Sequence, residues 1–311
     1  MSINLDFSSY NFENIQNCLI CGYNESIVLG VRGNREYSGA NPSVVPHVYT
    51  NVVKCINCDF IFCNPKITGL EHLEHDHYND PDLYHAYLKD NVYPIFQVGE
   101  RVISQFKQCG KLLDVGAGKG DFVSLAGKNG YEAMGIEPSP RFCKYAQEFY
   151  GVRVEQGYLG VSHHFRGELF DVITLFHVLE HVTQPQELLT FMSAHLKSDG
   201  IIYIEVPNAD SLLLRIADLI FRLIGKNWSS RLSPLHAPFH SMGYSPKSIE
   251  YLLTKNGFEL LYSETFSGKV RGYDTSSRIS LFFSFVRYAA VNIINVFPNR
   301  ELVCVVAKKV S

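Results

Sequence analysis

The sequence predicts an α/β fold, a parallel sheet with helices on both faces, preceded by a small four-cysteine module. Three observations carry that reading. From residue 111 onward, short apolar runs alternate with helical stretches, as strand–helix–strand crossovers do. A turn rich in glycine, at 116–120, follows the first of these runs. Ahead of the alternating region stand two C-x-x-C pairs, Cys18/Cys21 and Cys55/Cys58.

Composition sets the bounds. At 311 residues, with 46% hydrophobic and 19% charged residues, the chain can bury a sizeable core. A net charge of −3 argues against a generic polyanion binder, so no nucleic-acid partner is expected. The first fourteen residues lack a basic start followed by an apolar run and do not read as a secretory signal. The strongest membrane candidate, 279–297, is interrupted by Arg287, Asn292 and Asn295. A spanning helix needs about 20 mostly apolar residues, so this stretch reads as a helix packed on the protein. Weak membrane-surface contact through it is the lesser alternative. Without a signal, paired cysteines point to metal binding rather than disulfides, and to the cytoplasm. Cys63, Cys109, Cys143 and Cys304 have no such pairing.

The elements follow in order. Residues 1–66 are turn-rich and hold both cysteine pairs, and form the proposed zinc module. Residues 67–108 are a connector, His- and Tyr-rich at first, with a helix predicted at 94–107. The remainder, 109–311, forms the main domain. Strands are predicted at 111–115, 131–136, 152–155, 170–176 and 200–206, and helices at 121–128, 139–150 and 185–196. An amphipathic stretch at 211–224 and a loop through Trp228 come next. Ser245-Pro246 starts a helix over 245–256, because proline suits the first helical turn. Two strand-like runs, 258–264 and 301–308, lack a helical crossover between them, which predicts an antiparallel finish with 270–298 inserted.

The turn Leu112-Leu113-Asp114-Val115-Gly116-Ala117-Gly118-Lys119-Gly120-Asp121 is the sharpest motif. Glycines after a strand let backbone approach a ligand and aim helix N–H groups at it. A dinucleotide fingerprint needs G-x-G-x-x-G; here the third glycine is one position early and Asp121 stands in its place. Asp114 at the strand end would repel a pyrophosphate and suits a cationic amino group. Glu137, 23 residues further on, ends the second strand, where an acid can hold ribose hydroxyls.

On these motifs the chain resembles class I S-adenosylmethionine-dependent methyltransferases, in particular a zinc-ribbon-bearing subgroup associated with bacterial surface-sugar and secondary-metabolite pathways. LLDVGAGKGDF (112–122), GIEPSP (135–140), FDVITLFHVLEHV (170–182), LKSDGIIYIEVPN (196–208) and HSMGYSPKSIEYLLTKNGF (240–258) carry the resemblance. It implies a Rossmann-like seven-stranded methyltransferase fold with an N-terminal four-cysteine zinc-binding module. It further implies that Asp114, Gly116, Ala117 and Gly118 line the methionine end of the cofactor, and that Glu137 and Pro138 meet the ribose. Phe176 and His177 would flank the methionine part. Where relatives carry an adenine-binding acid, this chain has Gln156-Gly157-Tyr158-Leu159, so adenine is expected on backbone, Tyr158 and Leu159.

The cofactor carries the reactivity of methyl transfer, and the protein aligns the acceptor and helps remove its proton. The candidate groups are His177, Glu180, His181 and His240. His181 reads either as a base at the acceptor mouth or as a brace for the following helix. His240 falls where relatives place a histidine before the Ser-Pro helix. His177 to His181 also spells H-x-x-E-H, but a zinc protease needs that motif on a helix and here it follows a strand. Some quinone-pathway O-methyltransferases resemble this stretch and bind a divalent cation there. No [Asn/Asp]-Pro-Pro-[Tyr/Phe] follows the fourth strand, which tilts the expectation to an oxygen or carbon acceptor on a small molecule such as a nucleotide sugar or polysaccharide precursor. The 211–240 region is expected either to cover that acceptor or to be an ordinary packed helix and loop.

Cys18, Cys21, Cys55 and Cys58 supply two knuckles for a closed, structural zinc site. The 33 residues between the pairs exceed the usual ribbon spacing of about 15–20, so the site must close over a β-rich insertion.

Overall fold

The computed structural model describes residues 11–33, 48–69, 92–160, 165, 167–235, 239–267 and 299–310. The tract at 71–78 and the stretches at 270–298 and 279–297 lie outside the described residues. In chain order the first elements are β1 (Asn11–Glu13), β2 (Ser26–Gly33), β3 (Tyr49–Cys55), β4 (Ile61–Asn64), β5 (Lys66–Thr68) and α1 (Val92–Ile103). Then come β6 (Gly110–Val115), α2 (Asp121–Lys128), β7 (Tyr131–Glu137), α3 (Pro140–Tyr145) with a π-helical turn to Tyr150, β8 (Val154–Gln156) and β9 (Phe170–Phe176). After a 3-10 turn (Leu179–His181) follow α4 (Pro185–His195), β10 (Leu196–Pro207), α5 (Leu212–Leu223), β11 (Met242–Gly243), α6 (Pro246–Lys255), β12 (Phe258–Phe266) and β13 (Leu302–Lys309).

The central sheet has seven strands in the order β12-β13-β10-β9-β6-β7-β8. Strands β10, β9, β6, β7 and β8 run parallel, and β13 is antiparallel to both β10 and β12. The expected antiparallel finish is therefore β13 inserted between two strands. Side chains alternate across the sheet. Leu113, Ile173, Ile202, Ile204, Val303 and Val305 enter the core that also holds Leu188, Leu189, Ile249 and Leu252 of α4 and α6. Leu112, Val172, Ile201, Tyr203 and Val306 enter the opposite core with Val102, Ile103 and Phe122 of α1 and α2.

The cysteine region is built onto this core. Strands β2, β3 and β4 form an antiparallel sheet whose fourth strand, β11, comes from the far end of the sequence. Cys18, Ile20, Cys55, Cys58, Phe60 and Phe62 belong to the same apolar cluster as α4 and α6. Among the described residues, no helix is long and apolar enough to cross a membrane.

Candidate active site

The carboxyl ends of β6, β7, β9 and β10 meet at one edge of the sheet, and every expected cofactor residue lies either at the end of β6, β7 or β9 or on the turn that leaves β6, β7, β8 or β9. Gly116, Gly118 and Gly120 all take positive φ (73°, 52° and 79°), a backbone that side chains with a Cβ resist. A Cβ on Gly116 would stand 2.4 Å from Val178 Cγ2. The turn is pinned beneath by the N–H groups of Gly116 and Ala117, both donating to the Ile136 carbonyl.

Glu137 is buried, and its two carboxylate oxygens accept the N–H groups of Gly118 and Ser139, each at 2.9 Å. Asp114 is buried and accepts the Thr174 hydroxyl at 2.6 Å. Burial pushes Asp114 up to about 7, against the Thr174 bond and with help from nearby Glu137. Burial likewise raises Glu137, against its two backbone bonds. Two carboxyl groups that give up protons reluctantly make a pocket suited to a cation that also offers hydroxyls. Gly157 N–H donates to the Glu137 carbonyl at 3.0 Å, which brings the β8 turn to this edge. There Tyr158 is 60% exposed and Leu159 is buried, while Pro138 is half-buried. Phe176 reaches the edge through its backbone. Its ring lies in the core, 4.4 Å from Phe122 and 5.0 Å from Phe96 and Tyr203 between centroids.

Beyond Phe176 the chain turns through His177, at φ 54°, with its N–H on the Glu205 carbonyl at 2.9 Å. The His177 ring is held between two acids, Nδ1 3.4 Å from Glu180 and Nε2 3.4 Å from Glu205. Burial alone would lower it, but Glu180 and Glu205 together push it up to about 10. Glu180 is buried too, yet His177, His181 and His240 bring it down to about 2. His240 Nε2 is 3.8 Å from Glu180, and the His181 and His240 rings are 4.8 Å apart. Glu180, His181 and His240 each offer a ligand atom within 4.8 Å of the others. Three candidates from two distant stretches thus converge, and His177 touches the same acid. Sequence reasoning misses Glu205. It is fully buried and takes the Tyr203 hydroxyl at 2.7 Å. A single acid inside the apolar run Ile201-Ile202-Tyr203-Ile204-Glu205-Val206 is the available signal.

The four paired cysteines also converge. Cys18 and Cys58 sulfurs are 3.6 Å apart, Cys21 and Cys55 sulfurs 3.5 Å, and all four fall within 4.8 Å of one another. A disulfide needs about 2.05 Å, whereas thiolates tetrahedral about zinc at about 2.3 Å stand about 3.8 Å apart. The set fits a tetrahedral metal. The Cys58 thiol, through its hydrogen bond, lowers Cys18 to about 5, and the same bond pushes Cys58 up.

A methyltransferase-domain family model matches residues 84–263. The ubiquinone biosynthesis O-methyltransferase of Cereibacter sphaeroides (strain KD131) is 26% identical over 157 residues, 48% of this chain and 60% of that protein. That of Actinobacillus pleuropneumoniae serotype 7 is 30% identical over 130 residues, 37% of this chain and 55% of that protein. The chain therefore spans little more than half the length of these relatives. Among solved structures, a SAM-dependent methyltransferase from Archaeoglobus fulgidus superposes with a TM-score of 0.51 at 21% identity, covering 73% of this chain and 98% of that one. The plantazolicin methyltransferase BpumL, solved with a triazolic desmethylPZN analog and SAH, gives 0.51 at 18% identity, covering 77% and 95%. The sheet order and the fold these structures share agree with the family match, which spans more than half of the sequence: the chain belongs to the methyltransferase-domain family.

Proposed function

We propose that this enzyme methylates an oxygen or carbon of a small polar molecule, of the nucleotide-sugar or polysaccharide-precursor kind, in the cytoplasm. The observation that carries the proposal is the buried Glu180, ringed by His177, His181 and His240 beside the glycine turn. S-adenosylmethionine supplies the electrophilic methyl group. Asp114 with the Gly116–Gly118 backbone would hold its methionine end, Glu137 and Pro138 its ribose, and Tyr158 and Leu159 its adenine. On this reading His181 or His240 takes the acceptor's proton, while Glu180, which stays ionised, orients that histidine and fixes the acceptor's hydroxyls. The relatives' description as O-methyltransferases supports an oxygen acceptor. The segments 1–66, 67–108 and 109–311 serve as zinc module, connector and transferase domain, the zinc being structural.

The test is calorimetry with S-adenosylmethionine, followed by transfer of labelled methyl to a panel of nucleotide sugars and phenols. Glu180→Gln should keep cofactor affinity and lose about 10²-fold or more in turnover, the usual contribution of a positioned base. Transfer to none of the panel, or full turnover by the variant, would overturn the reading. A second reading has a divalent cation on Glu180, His181 and His240. It is favoured by one observation: the buried Glu180 carboxylate has only the long ion pairs of its Oε1 with His177 and His240, and its Oε2 has no hydrogen-bond partner. Titration of the cofactor-loaded protein with Mn2+ decides it.

A further inference from the structure

The second cysteine knuckle runs directly into the segment that carries His240. Residues 59–63 follow Cys58 and meet residues 241–247 almost one to one. Lys247 Nζ lies 3.7 Å from the Asp59 carboxylate, and the Ser245 hydroxyl donates to the Asp59 carbonyl at 3.5 Å. The Phe60 ring tilts against Tyr244 at 5.2 Å. Ile61 and Phe62 pair with Gly243 and Met242, and Cys63 N–H donates to the Ser241 carbonyl at 3.0 Å. His240 is the next residue. The first knuckle is fixed elsewhere: the Leu19 carbonyl accepts the Gln186 amide of α4, and the Ile20 carbonyl accepts Lys255 Nζ of α6 at 2.9 Å. The four sulfurs are where these two attachments join.

We infer that the four-cysteine site positions the acceptor side of the active site. Its metal ties the knuckle fastened to α4 and α6 to the knuckle whose strand β4 sets His240 against Glu180 and His181. The inference rests on reading the cysteines as a zinc site. A purely supportive module would fail differently, since its loss would weaken the whole fold and the cofactor pocket along with it. Cofactor contacts come from turns after β6 to β9, none of which pairs with β4, so they should survive.

The experiment uses the full chain labelled with 15N-histidine. Zinc content is measured first, by atomic absorption. The His240 and His181 ring signals are assigned with His240→Gln and His181→Gln, then followed as the metal is chelated, with SAH affinity read by calorimetry. Expected are bound zinc, displacement or loss of the native His240 signal on chelation, and unchanged SAH affinity. Gly243→Ala gives a second arm. Its Cβ would stand 2.4 Å from Ala209 Cβ and 2.9 Å from Leu232 Cδ2, pushing β11 aside while leaving the cysteines intact. This variant should retain zinc and show the same His240 change. An unmoved His240 signal in both arms overturns the inference, and so does loss of SAH binding together with His240 on chelation. Native protein free of zinc overturns the metal reading instead, while the Gly243→Ala arm still tests whether β4 places His240.

Discussion

Asp114 is a buried carboxyl whose place in the fold costs stability once it ionises. Its folded value of about 7 lies above the ordinary 3.8, so the folded state binds the extra proton. Stability of the cofactor-free protein should therefore fall as pH rises from about 4 to about 7 and stay low above that. Asp114→Asn should raise the cofactor-free melting temperature at pH 8, with a gain of up to about 4 kcal/mol, and abolish cofactor binding without changing zinc content. Loss of zinc along with the cofactor would show that the two sites do not act separately. The Glu180–His177 pair has the opposite sign. Glu180, held at about 2 against an ordinary 4.5, contributes stability above pH 4.5 that is lost as pH falls through 2. His177, held at about 10 against 6.5, contributes stability below pH 6.5 that is lost as pH rises through 10. Denaturant midpoints of Glu180→Gln should accordingly drop more at pH 5.5 than at pH 10.

At the scale of single elements, α5 has its polarity turned outside in. Asp218 is buried with the Arg231 guanidinium at 2.7 Å and the Ser230 N–H at 2.8 Å, while Leu219, Ile220 and Leu223 are exposed. Asp218→Ala should cost about 1–3 kcal/mol, because it leaves the Ser230 N–H and the Ser229 and Ser230 hydroxyls without their acceptor while Arg231 keeps Asp210, whereas Leu219→Ser should cost under about 0.5 kcal/mol. Urea titration of the two variants checks this ordering, which is the reverse of that for an ordinary amphipathic helix. The periodicity at 211–224 marked the helix correctly but could not say which face would be buried, because the partners lie in the loop after it. The glycine turn is the other element with a sharp expectation. Gly116→Ala combines a positive φ with a clash on Val178, and SAH affinity should fall at least about tenfold, the factor a 1.4 kcal/mol loss gives. Elements bounded by their own chemistry were fully legible: α2 and β9 match the residues expected, since glycine turns or polar loops delimit them. The predicted helix at 139–150 instead divides into α3 and a π-helical turn closing at Gly151, φ 66°.

Across the whole molecule, the fold class and the run of parallel strands could be read because each strand–turn–helix unit is local. The docking of the cysteine region could not. It depends on β11, a two-residue strand too short to leave a pattern, and on contacts such as Lys255 with the Ile20 carbonyl across most of the sequence. Glu180 and His240 were named as candidates for one site, but the contacts that bring them together, the β4–β11 pairing and the bonds of His240 with Ser233 and of Tyr244 with Ala209, left no pattern in the sequence. One arrangement bears on how the molecule is made. Because β13 is bonded along both margins, to β10 and to β12, the outer edge of β10 and the inner edge of β12 stay unpaired until residues 302–309 leave the ribosome. A nascent chain must wait with two unpaired strand edges, so synthesis of this protein should lean on chaperones that shield such edges, and renaturation from urea should be slow.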